Sequence, residues 1–359
     1  MPKKVGKIYY IIPDIQRRDY SLIKLARAIY QGNGLKHLRY NWFIRHKPVG
    51  GIKVILQHCM LLRAQGFDAI PLQMGEYFGN FFNYDLTSQS IDDVGFHLNP
   101  DDVVVVPEHA AHLGPMFHCG FRILFAQNGG LLYSRGGFSP DDTPYVDKGY
   151  DFVFYCSDSL KDDLSREPAE RIYLINNFID QTIFQPNPNQ RKPGRIMALP
   201  RKNPDDLKKI MQLMKAVPNH HFHLVDGASE AEIIAEYQQA DIFLPIGYPE
   251  GFGLPQLEAM ACGAAVAGFT GGGADEFMRD RETALVARDG DAEGAVECLK
   301  ALLGDSALKE RLRDAGRAIA QTYTQERTAK QLADFFETQI WEKCSRRTAL
   351  KSLAQNFFH

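Results

Sequence analysis

Two glutamates stand eight positions apart around a glycine-rich turn. Glu250 and Glu258 belong to the run P-E-G-F-G-L-P-Q-L-E-A-M-A-C-G, which covers residues 249–263 and follows an apolar run. Gly251 and Gly253 permit a sharp turn because glycine has no Cβ to clash at positive φ, and the proline after them suits the first turn of a helix. The order therefore predicts a strand, a glycine loop and a short helix that ends at a left-handed glycine cap.

The predicted helix suits an anionic ligand at its first turn and a buried carboxylate in its middle. Free N–H groups and a partial positive charge at a helix N-terminus favour a phosphate. The helix is apolar on every face, so Glu258 is expected to be buried and hydrogen-bonded, either to a protein group such as an arginine or a backbone N–H, or to a ligand hydroxyl. Glu250 lies beside the same helix end. Two carboxylates around a phosphate site suit a nucleotide sugar, which carries hydroxyls at both ends and phosphates between them.

These residues give the chain its resemblance to a known family. The run 250–263 resembles the E-x7-E signature of retaining glycosyltransferases of family 4, and the run 271–276 resembles their glycine-rich donor loop. The resemblance covers residues 171–340 and reaches the first half only through Gly50, Gly51 and the strand order. It implies an α/β protein of the GT-B fold, in which two Rossmann-like domains with parallel doubly wound sheets face each other across a cleft.

Chain length supports two domains. The 359 residues exceed one typical domain and suit two. From the resemblance we expect an N-terminal, acceptor-side Rossmann-like domain over 1–183 and a C-terminal nucleotide-sugar-binding domain over 184–338. We expect residues 339–359 to form a helix that crosses back onto the first domain.

Composition argues against several classes of protein. A net charge of −3 gives no general attraction to nucleic acid or to a membrane. The six cysteines include no C-x-x-C pair, which favours reduced thiols in the cytoplasm over zinc or disulfides. The sequence contains no signal-like segment and no apolar run long enough to span a bilayer. We therefore expect a cytoplasmic protein without a nucleic-acid partner, and any membrane contact would be peripheral, at the inner membrane surface.

Strand-like runs alternate with helix-length segments, which predicts parallel, doubly wound sheets. Ligands of such sheets bind at the carboxyl ends of the strands. His109, Gln127 and Asn128 stand at predicted strand ends and are candidates to line a cleft. Members of the family often carry a histidine near Gln127, and glutamine can hydrogen-bond there but cannot act as a base. The predicted strands are 7–13, 67–72, 101–107, 122–127, 152–157 and 171–175 in the first half, and 195–199, 222–225, 242–246, 264–269 and 284–287 in the second.

Residues 14–49 form a basic insert in the first strand-to-helix connection, which usually takes about two to six residues. Between Arg17 and Lys47 eight basic residues and several aromatic ones accompany one acidic residue, Asp19. The insert is either a solvated loop with a helix over 21–30, or a patch that binds an acceptor or an anionic membrane surface.

The paired glycines Gly50-Gly51 follow the insert and precede a predicted helix. They either form a tight turn or allow the backbone to approach a phosphate.

Two cations follow the first strand of the second half. Arg201 and Lys202 are well placed for a diphosphate, because arginine offers a planar fork and lysine a mobile charge. The family has a basic pair at this place, often spaced further apart, so Lys208 and Lys209 are alternatives to Lys202. Asp226, after the next strand, is a candidate wall for the nucleotide base.

The resemblance and the residues together predict the roles within the site. We expect Glu258 to hold the ribose hydroxyls and Glu250 those of the transferred sugar. The cations, the helix end and two backbone N–H groups would stabilise the departing diphosphate. The predicted catalytic residues are Glu250, Arg201 and Lys202, and the predicted donor-binding residues are Glu258, Gly251, Phe252, Gly253, Leu254, Gly50, Gly51, Asp226 and Gly272.

The predicted activity is transfer of a sugar from a nucleotide sugar to a hydroxyl of a glycan, lipid-linked or small-molecule acceptor, within polysaccharide biosynthesis. No metal and no cofactor are expected, and retention of the anomeric configuration is implied by the resemblance alone. The alternatives are a nucleotide-sugar epimerase, a phosphorylase-like glycan enzyme and a non-catalytic subunit that binds sugar nucleotides or glycans. A Rossmann dehydrogenase is disfavoured because no G-x-G-x-x-G follows the first strand.

Overall fold

The computed structural model describes residues 6–13, 22–30, 34, 38, 50–75, 84, 86–133 and 143–344. Within this part of the chain, parallel strands form two sheets, one in the first half of the chain and one in the second.

The first half forms a seven-stranded sheet in the order β3-β2-β1-β4-β5-β6-β7. Strand β4 is a run of four valines and a proline, and it is buried at every position, as expected of a strand covered on both faces. The strands are β1 Ile8–Ile12, β2 Ala69–Gln73, β3 Gln89–Ser90, β4 Val103–Pro107, β5 Phe121–Ala126, β6 Phe152–Tyr155 and β7 Ile172–Leu174.

The second half forms a five-stranded sheet in the order β12-β11-β10-β8-β9. Strand β8 pairs with β10 on one side and with β9 on the other, so the strand order reverses beside β8. Such a reversal opens a crevice at the carboxyl ends of the strands, where ligands bind in doubly wound sheets. The strands are β8 Arg195–Ala198, β9 His221–Leu224, β10 Ile242–Leu244, β11 Ala265–Phe269 and β12 Leu285–Ala287.

Helices connect the strands and cover the sheets. Each predicted strand is present, with its ends shifted by at most two residues, and only the two-residue edge strand β3 was not predicted. The helices are α1 Leu22–Tyr30, α2 Gly50–Ala64, α3 Ile91–Val94, α4 Asp158–Asp163, α5 Pro204–Met214, α6 Glu230–Gln239, α7 Leu254–Ala261, α8 Ala292–Gly304, α9 Ser306–Ala320 and α10 Gln325–Phe335, and a π-helix covers Phe336–Trp341.

The chain returns to the first half after the second sheet is complete. Phe335, at the end of α10, packs edge-on against Phe154 of β6 with ring centroids 4.6 Å apart. The ring of Phe336 contacts that of Phe67 in a tilted arrangement, with centroids 5.9 Å apart. This packing begins at Phe335, whereas the crossing helix was expected to begin at residue 339. Residues 345–359 lie outside the described part of the chain. The domain limits stay predictions.

Helix α1 lies within the basic insert and matches the helix expected over 21–30. Several of its apolar side chains are exposed to solvent: Leu22 is 75% exposed, Ile23 82% and Tyr30 93%. Most of the remaining insert, including Arg17 and Lys47, lies outside the described residues, so the patch itself stays a prediction. Among the helices that are described, none combines the length and the apolar character needed to cross a bilayer.

Candidate active site

The glycine loop and helix of the second half have the predicted form. The N–H of Glu250 donates to the Gly271 carbonyl at 2.8 Å, which fixes the loop after β10. Gly253 has φ +88° and caps the N-terminus of α7, and Gly263 has φ +80° just after its end. A Cβ on Gly253 would lie 2.9 Å from that of Ala274, so both the backbone conformation and the packing require glycine there.

Glu250 forms an ion pair with one of the two predicted cations. The Lys202 ammonium lies 2.9 Å from Glu250 Oε1 and donates to the Pro249 carbonyl at 2.8 Å. This pair joins the carboxyl ends of β8 and β10, at the point where the strand order reverses. Arg201 is exposed next to Lys202. The structure therefore brings the three predicted catalytic residues to one edge of the sheet.

The two alternative cations, Lys208 and Lys209, form ion pairs with carboxylates other than Glu250. Lys208 pairs with Asp205 at 2.8 Å on the surface of α5, and Lys209 pairs with Glu293 of α8 at 2.8 Å. Because both lysines are held by carboxylates that are not predicted site residues, the geometry favours Lys202 as the second cation of the site.

Glu258 is buried, as expected, and its partner comes from the other half of the chain. The Lys53 ammonium on α2 lies 3.0 Å from Glu258 Oε1. The Tyr237 hydroxyl donates to Glu258 Oε2 over a longer distance of 3.4 Å. Glu258 therefore has a protein partner, as one of the two interpretations expected, but this partner is a lysine and not the arginine or backbone N–H given as examples. The sequence signal for it is a lysine within the apolar pattern of the helix that begins at Gly50.

Loops of the two halves meet at Gly251. A Cβ on Gly251 would lie 1.6 Å from the Gln127 carbonyl oxygen, so no other residue fits between the two backbones. The Ser157 hydroxyl donates to the Gly251 carbonyl at 2.6 Å. Gly51 approaches Gln127 as well, since its Cβ would lie 3.2 Å from the Gln127 side-chain oxygen. These contacts bring the predicted residues of the first half against the predicted donor loop.

The N-terminus of α2 also faces the N-terminus of α7. A Cβ on Gly50 would lie 3.5 Å from Leu254 Cδ1, which is an ordinary van der Waals distance. Both helices therefore begin at the same place between the halves. Whether the paired glycines approach a phosphate stays a prediction.

Phe252 and the second glycine loop complete the donor side. The ring of Phe252 is buried against Phe277 and Tyr323, with centroids 5.5 and 5.6 Å away. The side chain of Phe252 therefore packs in the core, and only its backbone is available to a ligand. Gly272 has φ +82° and forms a backbone bridge with Glu250.

Asp226 is exposed at the carboxyl end of β9, and Arg201 and Lys202 follow the neighbouring strand β8. This position agrees with the predicted wall for a base, and its role stays a prediction.

The carboxyl edge of the first sheet holds the cleft-lining candidates. Glu108 is buried, and the Gln127 N–H donates to its Oε2 at 3.1 Å. Burial raises the pKa of Glu108 to about 8, although backbone N–H groups of Gln127 and Asn128 lower it. Asn128 accepts the Gly130 N–H at 3.0 Å and so shapes its own turn. Burial lowers the pKa of His109, and within the described residues its Nε2 is buried without a hydrogen-bond partner.

Glu276, in the run that resembles the donor loop, also links the halves. It accepts the Asp158 N–H at 3.1 Å and the Tyr323 hydroxyl at 2.8 Å. Burial raises the pKa of Glu276.

Three histidines, His109, His112 and His118, follow β4. In the part of the chain that the structure describes, neither they nor any other three His, Cys, Asp or Glu side chains form a group that could hold a metal ion. The expectation of a metal-independent site stays a prediction.

Comparison with known proteins places the second half in a family. Residues 199–319 match the model of the family described as glycosyl transferases group 1. This match covers a third of the chain, and over these residues the resemblance seen in the sequence is confirmed. The matched range contains the two cations, the glycine loop and both glutamates.

Two relatives with established names match part of the chain. A D-inositol 3-phosphate glycosyltransferase from Nocardia farcinica is 34% identical over 113 residues, which are 31% of this chain and 24% of that protein. An N-acetyl-alpha-D-glucosaminyl L-malate synthase from Bacillus anthracis is 31% identical over 128 residues, 35% of this chain and 32% of that protein. The matched region thus spans a quarter to a third of the length of these relatives.

Solved structures confirm the predicted fold. The sucrose-phosphate synthase of Thermosynechococcus elongatus superposes with a TM-score of 0.67 at 16% identity, covering 92% of this chain and 98% of that one. Anabaena HepE in complex with UDP-glucose has a TM-score of 0.65 at 14% identity, covering 93% and 100%. The chain has the GT-B fold, with two Rossmann-like sheets.

Proposed function

We propose that this protein is a glycosyltransferase that takes a sugar from a nucleotide-sugar donor and transfers it to an acceptor hydroxyl. The observation that carries the proposal is the position of Glu250 and Glu258 around the N-terminus of α7, with Lys202 at 2.9 Å from the first. The name of the Nocardia relative and the UDP-glucose bound to HepE support this class of reaction.

The second half supplies the donor chemistry. Cleavage of the bond between sugar and diphosphate leaves negative charge on the diphosphate. Lys202, Arg201 and the N–H groups at the first turn of α7 stabilise that charge as it develops. A hydrogen bond to a charged group contributes about 1.5–3 kcal/mol, which corresponds to roughly tenfold to several hundredfold in rate when the bond forms mainly in the transition state.

The proposal includes retention of configuration and catalysis without a bound metal. The lysine, the arginine and the helix end provide the positive charge that a metal ion would otherwise supply to a diphosphate. Retention follows the family resemblance. In contrast to glycosidases, no second catalytic carboxylate across the scissile bond is part of this proposal.

The first half supplies the acceptor side. Gln127 lies against Gly251, and His109 offers a buried ring nitrogen that can hydrogen-bond to a hydroxyl. A lowered pKa keeps the His109 ring neutral near pH 7. The proposed acceptors are small polyols, glycans and lipid-linked sugars in cytoplasmic polysaccharide biosynthesis. The outward apolar side chains of α1 support a lipid-linked acceptor or a peripheral membrane contact.

The proposal is tested by incubating the purified protein with UDP-, GDP-, ADP- and dTDP-sugars and measuring release of the nucleoside diphosphate. We expect release from one donor class, faster when an acceptor is present. Thermal melting with UDP, GDP, ADP and dTDP provides a second measurement. A ligand at about one hundred times its Kd stabilises the fold by roughly 2.7 kcal/mol. No release and no shift with any nucleotide would contradict the proposal.

A further inference from the structure

We propose that Lys53 is a latch that bridges Glu258 and Glu230 until the nucleotide ribose displaces it from Glu258, which leaves it paired with Glu230 alone. This inference rests on the proposed function, because it concerns the carboxylate assigned to the ribose. It adds a positioning residue from the first half of the chain, outside the matched family domain.

The Lys53 ammonium is shared by two carboxylates of the second half. It lies 3.0 Å from Glu258 Oε1 and 2.7 Å from Glu230 Oε1. The side chain of Lys53 is 9% exposed, and its ammonium lies 4.7 Å from the centre of the Phe184 ring. A lysine that is enclosed in this way is charged only because its partners compensate the loss of water.

The charge on Lys53 is stable. Burial alone would lower the pKa of its ammonium, but the neighbouring Glu258 and Glu230 raise the pKa above its ordinary value. The lysine therefore remains a cation over the working range of pH. Two carboxylates compete for one cation, and one of them can be released while the lysine stays paired.

Glu258 and Glu230 differ in what else they could bind. Glu258 lies on α7, whose N-terminus is the proposed diphosphate site. Glu230 is the first residue of α6, where a negative charge is favourable, and its side chain is 22% exposed. Glu230 can therefore hold Lys53 by itself near water, whereas Glu258 is the carboxylate positioned beside the donor.

The ion pair is also a contact between the halves. Lys53 comes from α2 in the first half, and both glutamates come from helices of the second half. The hydroxyls of a ribose need the oxygens of Glu258 as acceptors. In this geometry Lys53 contacts Oε1 and Tyr237 contacts Oε2. The latch requires a ribose hydroxyl to take the place of the Lys53 ammonium on Oε1, so the apparent affinity is the intrinsic affinity multiplied by the fraction of molecules in which that contact is broken.

The proposal predicts opposite changes in nucleotide affinity when Lys53 and Glu230 are substituted. Lys53→Met removes the competitor of the ribose, so the nucleotide should bind about tenfold more tightly. Glu230→Gln removes the alternative position of the lysine and leaves Lys53 on Glu258, so the nucleotide should bind several-fold more weakly. A purely structural ion pair would change the affinity in the same direction in both variants.

The experiment is calorimetric titration of the full chain with UDP, GDP, ADP and dTDP, using wild type, Lys53→Met and Glu230→Gln. The matched controls are Lys300→Met and Glu297→Gln, which disrupt a 2.8 Å ion pair on the surface of α8 and should leave the Kd unchanged. Glu230→Gln keeps the test valid if Lys53→Met does not fold. Equal affinities, or shifts in the same direction, would overturn the latch alone. No binding of any nucleotide to wild type would overturn the proposed function together with the latch.

Discussion

The two glutamates of the E-x7-E run each pair with a lysine, but the two pairs differ in burial and in origin. Lys202 and Glu250 both belong to the second half, and their side chains are 30% and 22% exposed. Lys53 and Glu258 come from opposite halves and are almost enclosed. A pair that is open to water contributes about 0–1 kcal/mol, whereas removing one partner of a buried pair costs about 3–5 kcal/mol. The first pair can therefore rearrange around a substrate at little cost in free energy, whereas the second is one of the buried contacts between the halves.

The largest effect is expected at the buried pair. Glu258→Gln keeps the shape of the side chain but removes the negative charge that would hold the ribose. We expect catalytic efficiency with the preferred donor to fall at least about hundredfold, because the loss of roughly 3 kcal/mol corresponds to that factor. Nucleoside diphosphate release measures the effect, and Glu297→Gln on the surface of α8 is the control. Wild-type rates in Glu258→Gln, with unchanged circular dichroism, would remove Glu258 from the site.

A somewhat smaller effect is expected at the exposed pair. Lys202→Met removes one charge-assisted bond to the departing diphosphate, so kcat should fall roughly tenfold to a hundredfold. Stability should change by less than about 1 kcal/mol, since the pair with Glu250 is partly exposed. Single-turnover kinetics and urea unfolding separate the two quantities. An unchanged kcat together with a large loss of stability would contradict this prediction, because Lys202 would then stabilise the fold without contributing to catalysis.

The contact between the halves at Gly251 can be tested by adding a methyl group to that glycine. Gly251→Ala places a Cβ 1.6 Å from the Gln127 carbonyl oxygen, so one of the two backbones must move. Overpacking of this kind costs about 1–3 kcal/mol in the free energy of unfolding. Gly304→Ala is the control, because a Cβ there meets no atom within 4 Å. Equal unfolding midpoints for the two variants would show that the halves do not meet at Gly251 in solution.

The remaining effect concerns pH and the buried Glu108 carboxyl of the first half. The buried Glu108 carboxyl has a pKa of about 8, against 4.5 for an ordinary glutamate. The folded protein therefore binds more protons than the unfolded chain between these values, and stability falls as pH rises from about 5 to 8. Glu108→Gln should have a flatter profile of urea midpoints over this range, with the hydrogen bond from the Gln127 N–H retained. A profile as steep as that of wild type would assign the pH dependence to another group.

Structural features that are determined by residues close together in the sequence could be predicted from the sequence alone. Gly253 and Gly263 marked the two ends of α7 because each has a positive φ that glycine adopts without strain. The valines of β4 indicated a buried strand by composition alone. The position of Lys202 beside Glu250 followed from the rule that the carboxyl ends of neighbouring strands meet at one edge.

Features that depend on long-range packing could not be predicted in the same way. Lys53 and Glu258 are separated by 205 positions, and no periodicity in either segment indicates that α2 and α7 begin side by side. The role of Gly251 is similar, because its need for glycine comes from the Gln127 backbone of the other sheet. Most of the basic insert lies outside the described residues, so its interpretation has not advanced beyond the sequence.

The central claim is that the crevice between the halves holds a nucleotide sugar and transfers its sugar. The most direct measurement is proton NMR of the purified protein with a nucleotide sugar labelled with ¹³C in the sugar and a mixture of polyol and glycan acceptors. We expect a new glycosidic anomeric signal with the configuration of the donor, together with an equal amount of nucleoside diphosphate. Conversion of the donor into an epimeric nucleotide sugar without release of the diphosphate, or no consumption of any donor, would contradict the account.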